Sequence, residues 1–185
     1  MNELLQLLQT RNSAPRLCEP APSAGELQEI IRAAVRVPDH AWLRPWRFLS
    51  VSGERREALG DILESSLSRR DPQADAAARL KARNAPLRAP LVLVVIATLQ
   101  EHPKVPAVEQ RLSAGCAAQT ILLAAESLGY AGMWRTGEAA FDRSVMTGLG
   151  LAQNEEIIGF LYLGSRDGSA KTVPELNPDH FLSEW

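Results

Sequence analysis

The sequence predicts an α+β domain in which helices cover a mixed β-sheet. Stretches with apolar residues at helical spacing alternate irregularly with short, β-branched apolar runs, unlike the regular alternation of an α/β fold. The 185 residues suit one domain and show no internal repeat, linker or low-complexity segment. We therefore expect a single domain over residues 1–185.

The first half of the chain predicts three helices and one strand. Leucines at helical spacing indicate a first helix, the capping box Ser23-Ala-Gly-Glu26 opens a second, and alternating apolar residues mark a strand. The expected elements are a helix over 2–10, a proline-rich loop over 11–22, a helix over 24–36, a loop over 39–45, a strand over 48–51 and a helix around 59–67.

The second half predicts the remaining helices and strands. A β-branched run after Pro90 is typical of a buried strand, and Gly129 stands where a long helix should end. The expected elements are helices over 74–83, 107–128 and 142–149, and strands over 91–97, 130–135 and 157–163. From about residue 165 the tail should hold little structure. Its apolar Phe181, Leu182 and Trp185 need a place of burial, for which a partner subunit is one candidate.

Composition excludes several classes of function. The net charge of −2 argues against non-specific nucleic-acid binding, and the longest uncharged runs are too short to span a bilayer. We expect no signal peptide, and Cys18 and Cys116 are far apart, so the simplest prediction is a reduced, cytoplasmic protein. Dinucleotide-binding, Walker A and G-x-S-x-G motifs are absent, and three scattered histidines cannot assemble a zinc motif, so no metal is expected.

Two segments in the first quarter carry groups that suit an anionic ligand. Arg11, Asn12 and Ser13 offer a guanidinium, an amide and a hydroxyl that could all donate to one phosphate, although a solvated turn would look the same. The segment 36–46 holds Arg36, His40 and two indoles between prolines. Arg36 could instead compensate the carboxyl end of its helix, in whose last turn we place it, and the second indole could anchor the core.

Two further segments end predicted strands in polar turns. In Trp134-Arg135-Thr136-Gly137 the glycine lacks the Cβ that would keep a flat ligand from the backbone. Arg166 follows the last strand and is a second phosphate candidate, or else an exposed turn residue. A row of small residues over 113–118 in the long helix suits either a tight helix contact or a cofactor contact.

In their order and spacing these segments resemble the nitroreductase family of flavoenzymes, over roughly residues 3–175. The motifs are Arg11-Asn-Ser13, Glu-Pro-Ala-Pro before the capped helix, Val37-Pro-Asp-His-x-x-x-x-Pro-Trp46, Lys104-Val-Pro-x-x-Glu-Gln110, Ser113-Ala-Gly-Cys-Ala, Trp134-Arg-Thr-Gly137 and Gly159-Phe-Leu-Tyr-Leu-Gly164. The resemblance implies a mixed, largely antiparallel sheet flanked by helices, in an intertwined homodimer that binds two FMN molecules at its interface.

The resemblance also implies roles for individual residues. Arg11, Asn12 and Ser13 would hold the FMN phosphate and ribityl chain, while Arg36 and His40 would reach the same flavin from the other subunit. The isoalloxazine ring would contact Trp134, Arg135 and Thr136, with backbone N–H groups near Gly137 facing N5 and O4. A weaker implication associates Ala124, Ala125, Glu126, Ser127, Leu128 and Gly129 with the nicotinamide cofactor.

The implied activity is an FMN-dependent oxidoreductase. NADH or NADPH would deliver hydride to flavin N5 in a ping-pong cycle, and a nitroaromatic, quinone or similar electron-poor acceptor would take the electrons. No side chain is expected to be a covalent nucleophile. The chain departs from the family pattern at Asp39, His40 and Arg44, and at Asn12, where a second basic residue is common. The alternatives are a flavin-storage protein without turnover and a cofactor-free dimeric interaction protein.

Overall fold

The computed structural model describes residues 2–185 and contains the predicted helices and strands, with bounds that differ by a few residues. The helices are α1 (Glu3–Thr10), α2 (Ala24–Ala34), α3 (Arg55–Arg70), α4 (Ala76–Arg83), α5 (Ala107–Ser127) and α6 (Arg143–Gly148). The strands are β1 (Leu17–Cys18), β2 (Trp46–Ser52), β3 (Leu91–Thr98), β4 (Ala131–Arg135) and β5 (Glu155–Arg166).

Two boundaries correct the sequence predictions. The helix expected over 24–36 ends at Ala34, so Arg36 lies beyond it and not in its last turn. Pro38 gives a physical reason, because a proline has no N–H to donate to the carbonyl oxygen four residues earlier, which here belongs to Ala34. The loop expected over 11–22 contains the short strand β1, which pairs with the end of β5.

The sheet is antiparallel throughout the described chain. β3 lies between β2 and β5, and β5 pairs with β4 and, at its end, with β1. The predicted largely antiparallel sheet is thus confirmed, and the parallel pairing that a mixed sheet would include does not occur among residues 2–185. Because β5 is the strand that β1, β3 and β4 all join, it brings distant parts of the chain together.

Both faces of the sheet are covered. Along β3, Leu93 and Val95 pack in a cluster with α2 and α5, whereas Val92 and Val94 pack in a second cluster with α3 and α6. Alternate side chains of a strand point to opposite faces, so a strand buried on both faces must be apolar at every position. This explains the unbroken apolar run that identified β3 in the sequence.

The long helix α5 lies against one face of the sheet through its small residues. Ala114, Ala117, Ala118 and Ile121 are fully buried there. The small-residue row therefore provides close packing inside the chain, while Leu112 and Cys116 remain exposed on the opposite side. With 21 residues, α5 is about 31 Å long.

The tail has little regular structure, as predicted. Between Asp167 and Trp185 it contains one short 3₁₀ turn, at Pro178–His180. Phe181, Leu182 and Trp185 are exposed within the chain. Among the described residues, no helix combines the length and the apolar character needed to cross a membrane.

Candidate cofactor site

The predicted phosphate-binding residues come together beside the start of β4. The segment Arg11–Ser13 follows α1 directly, and next to it the Ala14 N–H donates to the carbonyl oxygen of Gly132 over 3.0 Å. The Arg166 side chain donates from Nη2 to the carbonyl oxygen of Asn12 over 3.2 Å. Two candidates that are 154 residues apart in the sequence thus form one cluster.

Asn12 presents an unused acceptor in this cluster. Its Nδ2 donates to the carbonyl oxygen of Thr10 over 3.3 Å, but its Oδ1 is buried without a hydrogen-bond partner. Leaving a buried acceptor unsatisfied costs about 1–3 kcal/mol. A ligand hydroxyl at this position would remove that cost, so the cluster fits the ribityl phosphate arm of FMN.

Glu126, at the carboxyl end of α5, lies near the same cluster. Burial raises the pKa of its carboxyl group above the usual value, and the positive charges of Arg11 and Arg166 partly oppose the rise. In the same segment, Ala125 is fully buried and the Ser127 hydroxyl donates to the carbonyl oxygen of Ala124. Within one chain, the stretch associated by resemblance with the nicotinamide is thus beside the proposed phosphate site.

At the other end of β4, Trp134 and Arg135 face opposite sides of the sheet. Trp134 packs with the α2–α5 cluster, and its indole N–H donates to the carbonyl oxygen of Ile158 over 3.3 Å. Gly159 makes room for it, because a Cβ at that position would lie 2.1 Å from the indole nitrogen. The indole therefore packs against the core of its own chain and stays partly exposed.

Arg135 lies over a cavity on the opposite face. Its guanidinium is 5.4 Å from the ring centre of Tyr162, and its Nε is buried without a partner. Burial lowers the pKa of Arg135, and the positive charge of Arg88 lowers it further. The cavity measures about 420 Å³ and includes Leu67 and Phe160 among its walls, a volume suited to a small organic group.

The turn after β4 borders this cavity and leaves its rim open. Thr136 and Gly137 both contribute to the lining. Gly137 has φ 63° and ψ −175°, a backbone conformation that is essentially restricted to glycine. Nothing lies within 4 Å of where a Cβ would be. The glycine is thus required by the turn itself and leaves space over the backbone for a flat ligand.

The third group of candidates lies in the loop 36–46. His40 pairs with Glu109 near the start of α5, with 2.7 Å between Nδ1 and Oε2. The Ser113 hydroxyl also donates to the carbonyl oxygen of Pro38 over 2.5 Å. Trp46 opens β2 and is half-buried. These contacts attach the loop to the amino-terminal half of α5.

One chain therefore separates the candidates into two groups. Glu126 lies near Arg11 and Arg166, which form the first group, whereas Glu109 contacts His40, which belongs to the second. These two glutamates are 17 residues apart on α5, which corresponds to about 26 Å along the helix axis. The two groups cannot contact the same part of one small ligand from within one chain.

Sequence reasoning missed the groups that surround Arg135. Arg88, in the short turn before β3, and Tyr162, on β5, both interact electrostatically with it. In the sequence, the only feature that could have indicated a role for Tyr162 was its hydroxyl in an otherwise apolar strand, and nothing indicated a role for Arg88. Among the described residues, no group of three or more His, Cys, Asp or Glu side chains could hold a metal ion.

Comparison with known proteins places this fold and these segments in one family. The sequence model of the Nitroreductase family matches residues 17–165. The chain belongs to the nitroreductase family. A relative in Escherichia coli K12, named "Putative NAD(P)H nitroreductase YdjA", is 42% identical over 179 residues, which cover 95% of this chain and 97% of the relative.

Solved structures show the same nitroreductase fold. A nitroreductase-like family protein from Bacillus cereus has a TM-score of 0.84 at 21% identity, with 100% of this chain and 96% of that chain covered. A nitroreductase with bound FMN from Bacteroides fragilis has a TM-score of 0.76 at 22% identity, with 100% of this chain and 99% of that chain covered. The predicted fold class and family are therefore confirmed.

Proposed function

We propose that this chain is an FMN-dependent oxidoreductase that takes electrons from NADH or NADPH and passes them to a small electron-poor acceptor such as a nitroaromatic or a quinone. The observation that carries the proposal is a pair of buried, unpartnered polar atoms near the two ends of β4, Asn12 Oδ1 and Arg135 Nε. The family relationship supports it, since the Escherichia coli relative is named for NAD(P)H and the Bacteroides fragilis structure holds FMN.

The spacing of these groups suits an elongated ligand. The Arg11–Ser13 segment adjoins Gly132, and the open turn begins five residues later, at Gly137. At the rise of an extended strand, five residues span at most about 17 Å. We infer that the phosphate lies between Arg11 and Arg166, the ribityl chain passes Asn12 and Ser13, and the flavin ring reaches the turn at Gly137.

At the ring end, the chain would orient the flavin and supply positive charge. Backbone N–H groups near Thr136 and Gly137 would donate to the polar edge of the ring. Arg135, with Arg88 behind it, would provide cationic charge close to the same edge, which favours electron uptake. Bound FMN would supply the redox chemistry, accepting hydride from NAD(P)H at N5 and then delivering electrons to the acceptor. Trp134 would act by packing beneath the strand that holds this turn.

A homodimer would complete each site. In one chain, His40 and Arg36 belong to the group near the start of α5, far from Arg11. We propose that two copies pair so that the His40 end of one α5 lies near the Arg11 end of the other, and each flavin contacts both subunits. We also propose that residues 1–185 form one domain whose tail, from about residue 165, packs on the partner and buries Phe181 and Leu182.

A cytoplasmic location completes the proposal. Cys18 and Cys116 are both free and exposed, as is usual where cellular thiols stay reduced. Secretion into an oxidising compartment, detected by fractionation of the native host, would contradict this part.

An absorption spectrum of the purified protein tests the central claim. We expect a flavin spectrum, with or without added FMN, that bleaches on anaerobic addition of NADH or NADPH and returns with a nitroaromatic or quinone. Flavin that neither donor reduces would indicate a storage protein instead. Colourless protein that takes up no FMN would refute the cofactor assignment and favour an interaction protein.

A further inference from the structure

A second cavity, separate from the one beneath Arg135, lies beside the loop 36–46. It measures about 570 Å³, and its lining contains Arg36, Asp39, Arg44 and the indoles of Trp42 and Trp46. With two guanidinium groups and one carboxylate, the lining carries one net positive charge. Within residues 2–185, neither arginine side chain forms an ion pair or hydrogen bond, whereas Asp39 Oδ2 accepts from the Arg44 backbone N–H over 2.8 Å.

The loop holds its indole in an unfavourable backbone conformation. Ala41, Trp42 and Arg44 have φ of 60°, 56° and 49°, in the left-handed region that non-glycine residues rarely adopt. Trp42 is nevertheless 80% exposed, so burial of its ring does not compensate for the conformation. Backbone strain of this kind persists where neighbouring contacts enforce it, and it is common at binding sites.

The contacts that enforce the conformation lie at both ends of the loop. The Ser113 hydroxyl holds Pro38, Glu109 holds His40, and Asp39 holds the Arg44 backbone. Trp42 and Arg44 are thus presented at a fixed separation before any ligand arrives. A pre-organised indole face next to a free guanidinium suits an aromatic ring that carries a negative charge.

We propose that this cavity binds an aromatic group with an attached anion, the ring against Trp42 and the anion at Arg44. The inference rests on the proposed function, which puts this loop beside the flavin of the partner subunit. Two substrates of such an enzyme present this chemistry: an acceptor that is an aromatic acid, and the 2′-phosphoadenosine end of NADPH. In either case Arg44 and Trp42 determine specificity, and the electron transfer itself needs neither.

Matched ligands and variants test the proposal. Arg44→Asn removes the charge but keeps a residue that tolerates positive φ, Arg44→Lys keeps the charge, and Trp42→Asn removes the indole on the same backbone. Isothermal titration calorimetry on the dimeric protein would compare benzoate with benzamide and 2′,5′-ADP with 5′-AMP. Steady-state kinetics would compare 4-nitrobenzoate with 4-nitrobenzamide, and NADPH with NADH.

We expect Arg44→Asn to weaken binding of at least one of benzoate and 2′,5′-ADP, the members of the two pairs that carry the additional anion, by about tenfold to hundredfold, as for one hydrogen bond to a charged group. Arg44→Lys should restore most of that affinity. The reference ligands that lack the additional anion, benzamide and 5′-AMP, should bind to Arg44→Asn as to the wild type, and Trp42→Asn should weaken binding of both members of a pair. A loss confined to the benzoate pair assigns the cavity to the acceptor, and one confined to the adenosine phosphates assigns it to the donor. Unaltered discrimination in both pairs would overturn the proposal.

The probes also separate this inference from the proposed function. Benzoate and 2′,5′-ADP cannot be reduced, so calorimetry reports on the cavity whether or not the protein turns over. Protein that binds no FMN but still loses 2′,5′-ADP affinity in Arg44→Asn would refute the flavin assignment and support the cavity. Protein that turns over with FMN but discriminates between the ligands equally well in Arg44→Asn would support the flavin assignment and refute the proposal for the cavity.

Discussion

Substituting Gly159 with alanine should destabilise the protein and disturb the turn after β4. The added Cβ would lie 2.1 Å from the indole nitrogen of Trp134 and 2.7 Å from Cδ1. Because the indole is rigid and its N–H is bonded to the carbonyl oxygen of Ile158, the ring must move as a whole. Overpacking of this kind costs about 1–3 kcal/mol, and the lost hydrogen bond adds about 1 kcal/mol.

We therefore expect Gly159→Ala to lower the free energy of unfolding by about 2–4 kcal/mol, measured by urea denaturation, and to change the near-ultraviolet circular dichroism of the tryptophans. Gly25→Ala is the matched control, since no atom lies within 4 Å of a Cβ there and α2 should become slightly more stable. A Gly159→Ala protein with wild-type stability and an unchanged tryptophan signal would refute the packing role assigned to Trp134.

Four further predictions concern the cofactor and the pH dependence of stability. Arg11→Ala should weaken FMN binding by about 1.5–3 kcal/mol; unchanged affinity in a fluorescence titration would remove this arginine from the site. Glu126→Gln should tighten FMN binding about twofold to fivefold, because the carboxylate competes with the phosphate for the same positive charge; weaker binding would mean that the glutamate positions the arginines instead. His40→Ala should weaken FMN binding in the dimer, and mixed dimers that carry one mutant subunit should show the loss at the flavin held by the other chain; a loss at the mutant chain's own flavin would contradict the cross-subunit arrangement. The hydrogen-bonded Arg47 guanidinium lowers the pKa of Glu155 from 4.5 to about 2, so this carboxylate stabilises the fold fully above pH 4.5 and progressively less as the pH falls towards 2. The free energy of unfolding, measured by urea denaturation at several pH values in this range, should therefore change less with pH in Glu155→Gln than in the wild type. An equal pH dependence in the two proteins would refute the linkage.

Local sequence patterns were sufficient to predict most elements of the fold. The apolar run of β3, the capping box before α2 and the glycine after α5 each have a direct physical cause within a few residues. The end of α2 was placed two residues too late because Pro38 was used as the stop signal, whereas the helix already ends with its last periodic apolar residue, Ala34.

The candidate site was harder to predict because it depends on contacts between distant segments. No local pattern indicates that Arg166 meets Asn12 or that Arg88 lies near Arg135. Strand alternation alone shows that Trp134 and Arg135 face opposite sides of the sheet. Which of the two faces the cavity depends on the register of β4 with β5, and no local pattern gives that register. The left-handed backbone at Trp42 likewise results from contacts at both ends of its loop.

The two groups of candidate residues, one with Arg11 and Arg166 and the other with His40, lie at opposite ends of α5 and form two half-sites. This separation links the supply of the cofactor to the assembly of the dimer. If each flavin needs one half-site from each chain, a monomer contains no complete site and a dimer contains two. Added FMN would then shift the monomer–dimer equilibrium towards the dimer by mass action. Conversely, dilution would release flavin and separate the subunits in a single transition. When FMN is scarce, the dimers would then separate into subunits and the activity would be lost at the same time.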